Sequence, residues 1–473
     1  MLKTSKTVES LTYKQKVLLM IGVFMCIELG LMVSSQFSVA LPKIIDDIGG
    51  IEFYSLVFTV NLTVSAIMTP IVGKMSDIYG RRQILIIGIL VILVSEIITP
   101  LLVSNIYHLM IFRAIQGLGG ALAAVVGLIV ISDIFDLANR AKFLGFYGAL
   151  NAITAIVAPT LGGIFVQYMS WHWVFYSIAP IGVIGLYLVV KYMPNISRAE
   201  NAKLDYRGIS ILSAAILVFV AITTFGGSRI PWLSVPMFVL FIVFVLSIFG
   251  FITSQKKAAH PVVPLRLFKY RVFVVCLLSV FAVMFAASGL IFLLPMFLQN
   301  LFGYTPTETG LFMTYRGTTS FIFAAVSGFL VVKLKDFKLV AIIAMGIFAS
   351  MIFALTFFTT SASTVALTVI CLIWGTSSGV LISIFHTGIQ MNLPDKDISV
   401  AMSVIQLAVA VSSLLATSFL GLFLRLPNLS QGLSYLLFAS LGAVVFALGI
   451  FVITLQKRNL KIEEEETVTQ QLV

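Results

Sequence analysis

Fourteen long apolar runs, joined by mostly short connections, leave this chain few ways to fold. They lie roughly at 17–42, 52–72, 83–103, 107–132, 143–167, 173–193, 207–227, 232–254, 272–299, 309–332, 338–358, 364–387, 399–424 and 432–455. Crossing a bilayer as a helix takes about 20 residues, and each run is long enough. The runs are continuous rather than alternating, which excludes a barrel. Of the residues, 60% are hydrophobic and only 10% charged, whereas soluble domains carry about 25% charged. The fold class is therefore an all-α, polytopic integral membrane protein.

Charge placement orients it. With the N-terminus inside, 25 of the 30 Lys and Arg fall in inside segments. Only Lys43, Arg229 and Arg425 fall outside, and Arg113 and Arg316 lie within spans. Cationic connections stay in the cytoplasm, so both termini are expected there. The net charge of +11 is thus topological information and not a footprint for nucleic acid. The polar segment 1–16 is followed by an apolar run too long for a signal-peptide core, which reads as a retained first helix. Cys26, Cys276 and Cys371 all lie in apolar runs and read as small buried hydrophobes, with no disulfide framework and no metal spacing.

Between the second and third runs sits a charged turn, Gly73-Lys-Met-Ser-Asp-Ile-Tyr-Gly-Arg-Arg82. It resembles the G-x-x-x-D-x-x-G-R-[KR] pattern that the major facilitator superfamily carries between helices 2 and 3. Val39-Ala-Leu-Pro-Lys-Ile44, Arg113-Ala-Ile-Gln-Gly-Leu-Gly-Gly120, Ala158-Pro-Thr-Leu-Gly-Gly163 and Trp171-His-Trp-Val-Phe175 are similar to motifs of the fourteen-helix drug:proton antiporter branch. So are Pro264-Leu-Arg-Leu-Phe268 and Leu298 to Pro306. Departures are Val33 where that branch carries an aspartate, Ala158 for the first glycine of the helix 5 motif, and His172 for the arginine of W-R-W.

The resemblance implies two six-helix bundles, residues 17–193 and 272–455, with two extra helices between them in 194–271, and cytoplasmic ends 1–16 and 456–473. A degenerate echo of the first motif, from Gly328 to Lys338, falls after the second span of the second bundle, as parallel repeats would place it. The basic connection Gln255 to Arg271 is either a short amphipathic segment, with Leu265, Leu267 and Phe268 inward, or a plain linker. The acidic run Glu463–Glu466 reads as a solvated end.

Ionisable residues inside a bilayer are costly and mark function by default. Glu28 in span 1, Glu96 in span 3, Arg113 in span 4 and Arg316 in span 10 are the candidates, with Asp133 and His386 near inner span ends. Glu28 is the first choice for the proton carrier, the alternative being structural pairing with Arg113 or a polar neighbour. It lies five residues from Val33, about 140° around a helix. The resemblance assigns Arg113 to the cavity and to proton transfer, with Glu96 a weaker third. Arg316 has no acidic partner in its own half; it reaches Glu28 or Glu96 across the cavity, binds an anionic group on substrate, or snorkels.

In the charged turn, Gly73 and Gly80 permit close approach and positive φ. Asp77, Arg81 and Arg82 would act as a conformational latch to the opposing bundle, with Asp133 or Asp136 as possible partners. Pro159, Gly162 and Gly163 would kink helix 5 and allow close packing.

No Walker A, H-E-x-x-H or G-x-S-x-G motif occurs, so ATP, metal or hydrolytic chemistry has no sequence support and no cofactor is expected. The expected activity is proton-coupled export of amphipathic drugs or lipophilic cations by a monomer in a bacterial plasma membrane, in contact with protons, small substrates and lipids. The alternatives are an exporter of an endogenous anionic metabolite or lipid and, less favoured by these residues, a membrane enzyme or channel.

Overall fold

In the computed structural model the described residues are 11–135, 137–194, 205–227, 229–258, 263–334, 337–358 and 363–454. They form fourteen long helices and no strand. These are α1 (Tyr13–Ile48), α2 (Tyr54–Tyr79), α3 (Arg81–Leu102), α4 (Ile106–Ile134), α5 (Leu137–Tyr168), α6 (Ala179–Tyr192) and α7 (Tyr206–Phe225). Then follow α8 (Val235–Lys257), α9 (Arg271–Asn300), α10 (Pro306–Leu334), α11 (Phe337–Leu355), α12 (Thr364–Asn392), α13 (Asp395–Leu420) and α14 (Leu429–Thr454). The acidic run Glu463–Glu466, Asp136 and the Lys335–Asp336 part of the echo motif lie outside the described residues.

Local chemistry sets the ends. A capping box opens α1: Thr12 Oγ1 accepts from the Gln15 amide, and the Gln15 side chain accepts from the Thr12 amide, which satisfies two otherwise orphan donors. Asn105, Asp205 and Ser363 cap α4, α7 and α12 in the same way. Pro42, Pro70, Pro100 and Pro295 sit inside helices that continue past them, which neighbouring helices in a bundle allow.

One span, the sixth, differs from expectation. Thirteen helices are long and apolar enough to cross a membrane over their described residues alone, and the tenth run is the continuous 29-residue helix α10. Helix α10 runs between α5 and α12 and also exposes Phe321, Ile322 and Val326. The sixth run is interrupted: a helical turn, His172–Tyr176, precedes α6. Pro180 stands in the first turn of α6, where its missing N–H costs nothing but an earlier helix would lose a bond.

Helices α1 to α6 pack mainly on one another, as do α9 to α14. The two groups meet along three seams, α5–α10, α2–α13 and α1–α9. Helix α7 lies across the α2–α13 seam, where Ala66, Ile216 and Leu414 form a small buried cluster and the Thr223 and Ser418 hydroxyls touch. Helix α8 packs on α7, and apart from Met237 and Gln255 its side chains are exposed or half-buried, the surface of a lipid-facing rod.

The seams are tight at the end that the charge pattern assigns outside. Tyr54 Oη donates to the Phe292 carbonyl at 3.5 Å, Gln299 Nε2 to the Val39 carbonyl at 2.8 Å, and Thr59 Oγ1 to Thr417 Oγ1 at 3.1 Å. The Phe58 and Phe292 rings stand 4.9 Å apart. Toward the inner end of α5, Cβ atoms added at Gly145 or Gly148 would meet nothing within 4 Å. The molecule is closed at its outer end.

Candidate functional site

The expected site residues fall into three clusters and two mechanical elements. Glu28, on α1, is buried, and Asn151 Nδ2 of α5 donates to its Oε1 at 2.6 Å. Thr154 and Tyr147, on the same face of α5, complete this polar pocket. Glu28 is therefore held by amide and hydroxyl groups and not by Arg113. The missed residue, Asn151, had a signal in the sequence: an amide at the centre of an apolar run.

Arg113 belongs to a second cluster, between α3 and α4. Its guanidinium lies 4.3 Å from the Phe37 ring centroid, and its Nη1 donates to Gln116 Oε1 at 3.0 Å. Gln116 Nε2 passes the chain on to Thr99 Oγ1 at 3.3 Å, and Asn61 Nδ2 holds the Arg113 carbonyl at 2.9 Å. Glu96, the weaker third candidate, is 1% exposed and is the acidic neighbour whose charge Arg113 feels. Arg113 and Glu96, on adjacent helices, thus interact electrostatically inside the first bundle.

Arg316 reaches neither Glu28 nor Glu96. Its guanidinium lies 5.2 Å from the centroid of Trp374 on α12, with Cys371 beside it. An arginine at the bilayer centre costs about 2.5–3.5 kcal/mol on insertion scales. A cation–π contact returns about 0.5–2 kcal/mol, so Trp374 offsets part of that cost and not all of it.

The charged turn is a corner between α2 and α3. Gly80 takes φ +91°, while Gly73 is helical and a Cβ added there would meet only Val125, at 4.0 Å, so only Gly80 uses the freedom of glycine. Arg81 is 4% exposed and binds Asp77 at 3.1 Å, Ser76 Oγ at 3.2 Å and Asp133 of α4. Arg82 donates to the Val190 carbonyl of α6 at 2.8 Å. These partners all belong to the first bundle. In place of the expected pairing with the opposing bundle, these contacts tie α2, α3, α4 and α6 together at the cytoplasmic end, opposite the closed outer end. Of its suggested partners, Asp133 is used and Asp136 is outside the described residues.

The helix 5 motif sits where three helices cross. A Cβ on Gly162 would come 2.7 Å from the Gln36 carbonyl oxygen of α1, and one on Gly163 would overlap the Pro306 carbonyl of α10. Facing them, Gly310 of α10 abuts the Pro159 carbonyl. Pro159 does not end the helix, since α5 runs unbroken from Leu137 to Tyr168. Small residues at these points let backbones approach, which is how helices without a hydrophobic drive between them gain packing.

A further polar group was not expected. Asp397, 3% exposed at the start of α13, accepts from Tyr270 Oη at 3.0 Å and pairs with Arg266 at 2.9 Å. This hydrogen bond raises the Tyr270 hydroxyl above its ordinary pKa. The short 3₁₀ turn Leu265–Lys269 is docked by these bonds and by fully buried Leu267, whereas Phe268 is 42% exposed, so the expected inward trio reduces to Leu267 and half-buried Leu265.

A helical chain of this plan, closed by paired seams between two bundles, has a match among known families. The family model of the Major Facilitator Superfamily fits residues 19–417. The chain belongs to the Major Facilitator Superfamily. Two Bacillus subtilis proteins are similar to it. "Multidrug transporter protein MdtP" is 28% identical over 86% of this chain and 75% of its own length. "Multidrug resistance protein 3" is 27% identical over 76% and 70%. The fungal "Efflux pump dotC" of Dothistroma septosporum is 29% identical over 65% and 54%. Among solved structures a peptide transporter of the POT family superposes with a TM-score of 0.69 at 14% identity, covering 95% of this chain and 98% of that one. At that identity the likeness concerns fold alone. The protein is thus a multi-pass transporter of the superfamily and not an enzyme.

Proposed function

We propose that this transporter exports amphipathic drugs and lipophilic cations from the cytoplasm in exchange for protons. The moving bodies are residues 17–193 and 272–455, with 194–271 as an inserted pair of helices. The observation that carries the reading is Glu28: a buried carboxyl on α1, held by Asn151 of α5, on the helix whose Gly162 and Gly163 make the closest contacts to α1 and α10. A carboxyl placed there changes surroundings when the seams open, and a carboxyl whose surroundings alternate binds a proton in one state and releases it in the other. Arg113 and Glu96 form a second station of the same relay.

The similarity to proteins called multidrug transporter and efflux pump supports the substrate class, and an apolar, aromatic interior suits ligands bound by area and charge. The Asp77–Arg81–Asp133 cluster stabilises one of the two states of the first bundle. The transporter works as a monomer in a bacterial plasma membrane, with α8 against lipid. The deciding experiment uses inverted vesicles energised to an acid interior with a fluorescent proton-gradient reporter. Addition of ethidium should release lumenal protons with the wild type and not with Glu28→Gln; proton release in both would sink the assignment.

A second reading is kept because Arg316 is a cation in a bundle with no acid in its membrane core: export of an anionic metabolite or lipid. A response to anionic amphipaths alone in the same vesicles would select it.

A further inference from the structure

The sequence from Arg271 to Thr454 holds four acidic residues, Glu308, Asp336, Asp395 and Asp397; of these, the described Glu308, Asp395 and Asp397 lie in the first turns of helices. Arg316, in α10, makes no ion pair among the described residues, and its guanidinium lies over the Trp374 ring, 5.2 Å from the centroid. Among the described residues, neither Arg316 Nε nor Trp374 Nε1 finds an acceptor, and Trp374 is fully buried. Two N–H donors close together, one on the cation and one on the neutral indole, are costly to bury without an acceptor. They share one requirement, an oxygen acceptor, and an oxyanion meets both donors at once.

The location suits a substrate. Helix α10 runs between α5 and α12, and Gly317, next to Arg316, lies against the Ala155 carbonyl of α5. One turn away on α5, Asn151 holds Glu28. An acidic pole in the first bundle and a basic pole in the second therefore stand at nearly the same depth, on either side of the α5–α10 seam.

We propose that Arg316 and Trp374 form an oxyanion subsite, so that the favoured substrates are aromatic amphipaths that carry a carboxylate, zwitterions above all, with any cationic end toward Glu28. This names a substrate class for the export reading and rests on it. The arrangement also suits an arginine: a planar guanidinium over an indole keeps N–H groups at its edge for the oxyanion, which a lysine ammonium does less well.

The test is equilibrium binding, which needs neither proton coupling nor transport. A rhodamine carrying a free benzoic acid and its methyl ester form a matched pair that differs in the carboxylate alone. Fluorescence anisotropy with the purified full-length transporter should show the acid binding at least tenfold more weakly to Arg316→Gln than to wild type, with the ester unchanged. Trp374→Phe keeps the ring and removes the N–H, and should weaken the acid about threefold while sparing the ester. Equal weakening of acid and ester, or no effect on either, overturns the subsite.

Repeating the measurement in nanodiscs with and without an anionic phospholipid separates two sources of the oxyanion. Displacement of the acid by the lipid assigns the site to a lipid headgroup, and retention assigns it to a soluble carboxylate. Failure of ethidium-driven proton release with normal acid binding would remove the coupling reading and leave the subsite standing.

Discussion

Asn151 of α5 donates a 2.6 Å hydrogen bond to Glu28 of α1. Their partnership joins the carboxyl to the helix that carries Pro159, Gly162 and Gly163 at its outer end. Movement of α5 against α1 therefore alters the surroundings of the carboxyl directly.

Asn151→Leu removes that donor without adding charge. A hydrogen bond to a charged group is worth about 1.5–3 kcal/mol, so ethidium export should fall by roughly tenfold or more while expression stays normal. Glu28→Gln is expected to reduce coupled export to background. Unimpaired efflux by Asn151→Leu would show that Glu28 works without its α5 partner.

Arg81 and Asp133 are both nearly enclosed, with side chains 4% and 2% exposed. Removing one member of such a pair costs about 3–5 kcal/mol. Arg81→Ala should therefore lower thermal stability in detergent far more than Arg82→Ala, whose arginine contacts a backbone carbonyl near the surface. The double change Arg81→Gln with Asp133→Asn should recover part of the loss, since no charge is then stranded. Additive losses in the double variant would contradict a direct pair.

Two glycines of α5 should respond in opposite directions to alanine. At Gly163 the new Cβ would overlap the Pro306 backbone, which cannot swing aside as a side chain can; overpacking of this kind costs about 1–3 kcal/mol. At Gly145 a Cβ meets nothing within 4 Å, and the gain in helix propensity is up to about 1 kcal/mol. Melting curves of the purified variants should place Gly163→Ala below wild type and Gly145→Ala at or above it. The reverse order would mean that α5 is seated differently on α10.

Tyr270 and Arg266 both bind Asp397. The hydrogen bond that raises the Tyr270 pKa favours the neutral phenol. Its contribution to stability is complete below the unfolded pKa of tyrosine, about 10, and fades as pH rises through the higher folded value. Tyr270→Phe should therefore lower the melting temperature slightly at pH 7 and lose that difference at strongly alkaline pH. A difference that grew with pH would reverse the assignment.

The membrane class, the helical runs and the family were legible because apolar length, charge placement and short motifs are properties of contiguous residues. Gly80 was read correctly as a left-handed corner, and Gly73 was not, because the sequence marks a glycine but not which turn residue the chain bends at.

What the sequence determined by itself is which segments enter the bilayer, which way they run, and that Glu28, Glu96, Arg113 and Arg316 must find compensation there, because burying a charge is costly wherever it occurs. What only the tertiary structure decided is who supplies it. Glu28 meets Asn151, Arg113 meets Gln116 and the charge of Glu96, Arg316 meets Trp374, and Arg81 meets Asp133. Each of these partners except Gln116 comes from a different helix, and the rotation of one helix against the next is set by close packing at points such as Gly162 and Gly163, which no local pattern encodes.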